Sequence, residues 1–188
     1  MIVSLGEVDA MLRKAARGAG WPWGHAEELG ASARALCGSG LPGVALGAAL
    51  LNAAADDTHC PIRFAARCGD ARQLPPTDTA LCCPLLAMPL LATVFCSETR
   101  ALQARWGSHA VTVDVHGHTQ LKASDSHNGI DLVAIGLTLV PATQPRNHTP
   151  VECGVNVRDS DWQALDAHAQ HSYVPASEQS RQGAGPAD

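Results

Sequence analysis

The sequence predicts an α+β fold, with N-terminal helices followed by a mainly antiparallel sheet and a C-terminal helix, on three observations. Apolar residues recur at three- and four-residue steps up to position 56, alternation of apolar and polar residues appears only after position 62, and the helical step returns after position 160. Helices segregated from strands along the chain favour α+β over a doubly wound parallel sheet. The 188 residues suit one domain over 1–176, with a helical part at 1–56 and a loosely ordered tail at 177–188.

Each element has its own signal. Ser4-Leu5-Gly6-Glu7 is a capping box, so a helix starts there; Leu5, Val8, Leu12 and Ala15-Ala16 form its apolar stripe, and Gly18 with Gly20 stops it. Trp21-Pro22-Trp23-Gly24 makes a turn. Glu27 and Glu28 then fall in the first turn of a second helix, whose buried face is Ala26, Leu29, Ala33 and Leu36. Pro42 is well placed to begin a third helix that runs to about position 55. From Ile62 the segments shorten and read as strands and turns, including 79–97, where Pro84 and Pro89 interrupt a long uncharged run. Alternation marks a strand at 111–115, Gly117 turns it back into 119–123, and the nearly continuous apolar run at 130–140 reads as a more fully buried strand. Residues 143–150 read as a polar loop. A short strand at 153–157 follows, and Ser160-Asp161-Trp162-Gln163 is a second capping box before Trp162, Leu165 and Ala169.

Composition narrows the function. With 13 Lys+Arg against 18 Asp+Glu the net charge is -5, which argues against nucleic acid as a partner. The first residues carry no basic segment followed by an apolar one, and the prolines break the only run approaching membrane-spanning length, so a cytoplasmic protein with no membrane partner is expected. Seven cysteines without paired C-x2-C spacing suggest reduced, buried thiols instead of a disulfide framework or a structural zinc site. No phosphate loop, dinucleotide fingerprint or nucleophile elbow is present, and no cofactor is expected.

Three constellations carry candidate chemistry. Ser177, Ser180 and Arg181, beside Gly183-Ala184-Gly185 and after Tyr173-Val174-Pro175, bring hydroxyls, a guanidinium and unhindered backbone amides into one stretch, a composition suited to an anion. Trp23, Glu27 and Glu28 could line a pocket as stacking surface, acid and base, although carboxylates in a first helical turn are expected for dipole reasons alone. His116-Gly117-His118 puts two imidazoles in alternation, but no third ligand stands at a recognisable spacing, so metal is not expected there.

Two stretches resemble an uncharacterised bacterial family, a domain of unknown function. The first is Lys14-Ala15-Ala16-Arg17-Gly18-Ala19-Gly20 with Trp23-Gly24 and Ala26-Glu27-Glu28; the second is Tyr173-Val174-Pro175-Ala176-Ser177 with Ser180-Arg181 and Gly183-Ala184-Gly185. The resemblance implies a bacterial protein and assigns no chemistry. The first fifty residues are also similar to the opening helices of the malate/lactate dehydrogenase family that uses nicotinamide cofactors without a Rossmann fold, though no matching catalytic His motif follows. The residues therefore point to a protein that binds or transforms a small anionic metabolite through Trp23, Glu27, Glu28, Tyr173, Ser177, Ser180 and Arg181. The alternative expectation is a non-catalytic accessory subunit, a homodimer or partner of a metabolic enzyme, that uses its Ala-rich helices as an interface.

Overall fold

The computed structural model describes residues 1–53, 56–122, 131–142 and 154–172. A two-residue strand β1 (Ile2–Val3) leads into α1 (Leu5–Gly18), and the capping box is present as read: the Ser4 hydroxyl accepts from the Glu7 amide at 3.1 Å while Glu7 accepts from the Ser4 amide at 2.7 Å. The Ser4 amide first, and then the Ser4 hydroxyl, hold the Glu7 carboxyl below its usual pKa. The helix ends in a Schellman arrangement, with the Gly20 amide donating to Arg17 and the Trp21 amide to Ala16, and Gly20 adopts φ +86°. Gly18 does not stop the helix as expected. It is the last helical residue, and its missing side chain serves another contact, described below.

The second helix, α2 (Trp23–Gly38), begins earlier than the sequence suggested, with Pro22 as its cap. Glu27 and Glu28 consequently lie in its second turn, where the dipole argument for carboxylates no longer holds. The buried face is Ala26, Leu29, Ala33 and Leu36, as expected. The third helix, α3 (Gly43–Ala53), packs on α1 and α2.

Residues 61–71 depart from the expected strand pattern and form α4 (Pro61–Ala71). Pro61 supplies a pre-set φ at the first position, Ile62, Ala65 and Cys68 recur at three-residue steps on the buried side, and Arg72 ends the helix at φ +49°. Eleven residues with a Gly near the end are too few for that period to stand out. Likewise 79–97 is only briefly a strand, β2 (Thr79–Leu81); a short 3-10 helix (Pro84–Ala87) and α5 (Met88–Phe95) follow. The two prolines stand in first turns, where they start helical segments instead of breaking them.

The sheet contains β3 (Arg100–Trp106), β4 (His109–Val113), β5 (Thr119–Lys122) and β6 (Val133–Pro141), in the order β2-β6-β3-β4-β5 with antiparallel pairing throughout. The strand no signal announced, β3, is the central one. Its Ala, Gln and Arg residues disfavour strands, and only pairing on both edges holds it extended. Register places Leu102, Val113 and Leu139 side by side, and Ala104, Val111 and Leu137 beside them, forming one apolar face that packs on α5. The expected hairpin turn is in place: Gly117 has φ +79°, and Asp114 Oδ1 accepts from the amides of His116 and His118 at 2.9 and 3.0 Å. The expected burial of 130–140 is not realised. Only Ile135 of β6 is buried; Leu137 and Leu139 share its face but are less covered toward the end of the strand, Leu139 being 40% exposed.

A last strand, β7 (Val155–Asn156), pairs with β1, and α6 (Asp159–Gln170) follows. The second capping box does not form: Arg158 is the cap residue, Ser160 lies inside the first turn, and Asp161 accepts from Arg158 Nε at 2.9 Å. The predicted face of α6 is present, with Leu165 and Ala169 buried and Trp162 half-buried. α6 lies across α1 and α3, and the β1–β7 pair fastens that arrangement. Most buried apolar residues of helices and sheet belong to one contiguous cluster, which takes in Ala15 and Ala16 of α1, Ala26 and Ala33 of α2 and Ala48 of α3. No helix among the described residues is long and apolar enough to cross a membrane.

Candidate functional site

Helix α1 has two faces at helical spacing. Val8, Leu12, Ala15 and Ala16 point inward; Ala10, Arg13, Lys14 and Arg17, at i, i+3, i+4 and i+7, line up on the outside. That outer stripe is one wall of a cleft of about 510 Å³, closed by Trp23 at the start of α2 and by His171 and Ser172 just past the end of α6. Among the described residues no carboxylate lines the cleft. Arg13 Nη2 donates to Asp9 Oδ2 at 2.9 Å, and Arg17 Nη1 donates to the Trp21 carbonyl while its guanidinium lies 4.7 Å over the Trp23 ring. Lys14 is exposed and has no ion pair among the described residues. In a chain of net charge -5, three of its 13 Lys and Arg stand together here.

The α1–α6 crossing holds this geometry. A Cβ on Gly18 would collide with the carbonyl of His168, so a residue without a side chain lets the end of α6 settle close enough for His171 and Ser172 to reach the cleft. A second cavity of about 460 Å³ lies between the α2–α3 turn and β7. Among the described residues its charged lining consists of Arg158 and Asp161, which neutralise each other at 2.9 Å and leave that lining without net charge for an ionic ligand.

The sequence candidates separate. Trp23 is in the basic cleft and 64% exposed. Glu27 is exposed and does not line it. Glu28, about 140° round the helix from Trp23, faces His25 and Asp70 instead. Tyr173, Ser177, Ser180 and Arg181 lie outside the described residues, as do the loop expected at 143–150 and Cys153. Arg13, Lys14 and Arg17 were not singled out as a site, although cations at i, i+1 and i+4 on one helix are a legible signal for a charged face.

Glu28 Oε2 and His25 Nδ1 are buried without hydrogen-bond partners among the described residues. Burial pushes the Glu28 carboxyl above its usual pKa; attraction to His25 opposes this and repulsion from Asp70 adds to it. A carboxylate whose folded pKa is raised costs nothing while both states are protonated; the cost grows as pH rises above the unfolded-state pKa and is complete above the folded one. Glu28→Gln is therefore expected to raise the melting temperature at pH 7 by up to about 2–4 °C, under about 1 kcal/mol for this partly exposed group. The gain should fade as pH falls toward about 4.3 and be absent below it. Equal gains at pH 7 and pH 4 in a calorimetric comparison would show that burial of charge is not the cause.

The described cysteines are free and do not form a reactive site. Burial first, then the neighbouring thiols, pushes Cys83 up to about 12, and burial with the nearby Cys60 pushes Cys82 up to about 11. His116 and His118 stand 6.0 Å apart, and among the described residues no three His, Cys, Asp or Glu side chains are grouped to hold a metal ion.

Residues 3–74 match a family model described as Protein of unknown function (DUF3726), a segment that takes in the four leading helices, the basic stripe and Trp23. Positions 14–28 fall within the matched segment, to which no activity is assigned. No curated protein and no solved structure matches the chain.

Proposed function

We propose that the protein binds a small anionic metabolite in the cleft between the outer stripe of α1 and the end of α6. The observation that carries this reading is the composition of the walls: Arg13, Lys14 and Arg17 with no acidic residue among the described lining residues, so that with Arg13 paired to Asp9 an excess of positive charge remains on Lys14 and Arg17 in a protein that is acidic as a whole. Arg13 and Arg17 are each tied by one bond and keep their remaining N–H donors, while Lys14 is available as a point charge. The cleft has the volume of ordinary metabolite sites, about 300–1,000 Å³. Tyr173 follows Ser172 directly in the chain, so the tail candidates Ser177, Ser180 and Arg181 belong to the same proposal.

The test is thermal denaturation of the full chain in citrate and in inorganic phosphate, at matched ionic strength. A ligand at a hundred times its Kd stabilises by about 2.7 kcal/mol, a rise of about 5–10 °C for a chain of this size. Lys14→Glu should weaken that response at least tenfold in concentration, since a charge-assisted hydrogen bond is worth about 1.5–3 kcal/mol, and should leave the unliganded melting temperature within about 1 °C because the side chain is exposed. Arg181→Ala is the second arm. A full response in Lys14→Glu would remove the cleft from consideration, and no response to either anion would remove the binding reading and leave the accessory-subunit expectation as its rival.

A further inference from the structure

We infer that the ligand of this cleft is a nucleoside monophosphate, its base stacked on Trp23 and its phosphate held by Lys14 and Arg13. The inference rests on the anion reading above and adds the ring. Trp106 is 8% exposed and Trp21 and Trp162 pack against the core, whereas Trp23 is 64% exposed. Leaving one large ring in water costs the fold the burial that the other three contribute. Its orientation is nevertheless fixed, by Pro22 at the helix cap and by Arg17, whose guanidinium sits 4.7 Å from the ring centroid. Arg17 covers one face of the indole, and the exposure of the remainder leaves the other face for a planar partner.

The spacing supports a short linker between ring and charge. Lys14 and Arg13 stand about one helical turn from Arg17 along α1, roughly 5 Å of axial rise, which a pentose spans. The cleft's volume of about 510 Å³ accommodates one nucleotide, and the chain's net charge of -5 works against a polynucleotide.

The experiment titrates the full chain with AMP, CMP, ribose 5-phosphate and inorganic phosphate, following melting temperature and tryptophan fluorescence. Both nucleotides should act at about tenfold lower concentration than ribose 5-phosphate, in keeping with the usual contribution of one stacked base, and should quench fluorescence where ribose 5-phosphate does not. Trp23→Ala should bring the nucleotides down to the ribose 5-phosphate level, Trp23→Phe should retain most of the difference, and ribose 5-phosphate binding should be unchanged in both. Equal midpoints for nucleotides and ribose 5-phosphate would overturn the ring and leave the anion reading standing. A nucleotide preference that survives Trp23→Ala would also overturn it. If none of the four compounds, nor citrate, shifts the melting temperature, the anion reading falls and this inference with it.

Discussion

Gly18→Ala is expected to destabilise the protein by about 3 kcal/mol and lower its melting temperature by about 6–12 °C. The backbone at Gly18 is ordinary helix and not among the positive-φ glycines, so alanine's own conformation is unstrained and its helix propensity favours the change by about 1 kcal/mol. The cost is entirely steric. The added methyl meets the His168 carbonyl, a backbone atom that cannot rotate aside, and α6 must move off α1. Gly24→Ala is the control: a Cβ there meets nothing within 4 Å, and that variant should be unchanged or more stable by up to about 1 kcal/mol. Equal melting temperatures for the two variants would mean that the α1–α6 crossing is looser than the structure shows. The Gly18 variant should also lose ligand response in proportion to the displacement of His171 and Ser172, which the same movement carries away from the basic stripe.

Leu12→Ala is expected to cost about 3–5 kcal/mol, the range for a fully buried leucine whose site cannot collapse. Leu12 sits where three helices meet, and the structure identifies its partner. A Cβ on Gly47 of α3 would collide with Leu12 Cδ1, with Leu29 of α2 just beyond. Gly47→Ala alone should therefore destabilise by about 1–3 kcal/mol through overpacking, while the double variant should be at least about 1 kcal/mol more stable than the sum of the two predicts, because the new methyl occupies part of the space the leucine vacates. Urea denaturation followed by circular dichroism gives all four corners of the cycle. Strict additivity would show that the two residues do not share the space assigned to them.

The residues explain which parts of the fold were legible. Ser4 and Glu7 announce α1 because a capping box is a local event, complete within four residues and independent of the remainder of the chain. The hairpin at Gly117 is equally local: one left-handed glycine and one aspartate accepting two amides suffice. α4 and α5 were hidden because their prolines carry opposite meanings at the first turn and in the interior of a helix, and only tertiary packing decides which applies. β3 was hidden for the same kind of reason: Arg100, Gln103, Ala104 and Arg105 have no strand preference, and although β4 follows after a two-residue turn, the strand on the other edge, β6, begins only at Val133. At the candidate site Trp23 could be named from its neighbourhood, and the cations of α1 could have been found from their period. His171 and Ser172 could not, since nothing near position 14 says that position 171 will arrive beside it.

The β1–β7 pairing also sets a timetable. During synthesis α1 emerges early, and its outer stripe remains uncovered while more than a hundred further residues are added; the opposite wall of the cleft exists only once the strand at Val155–Asn156 has paired with Ile2–Val3 and delivered the final helix. A contact that needs both walls of the cleft can thus be made only after the two ends of the chain have met.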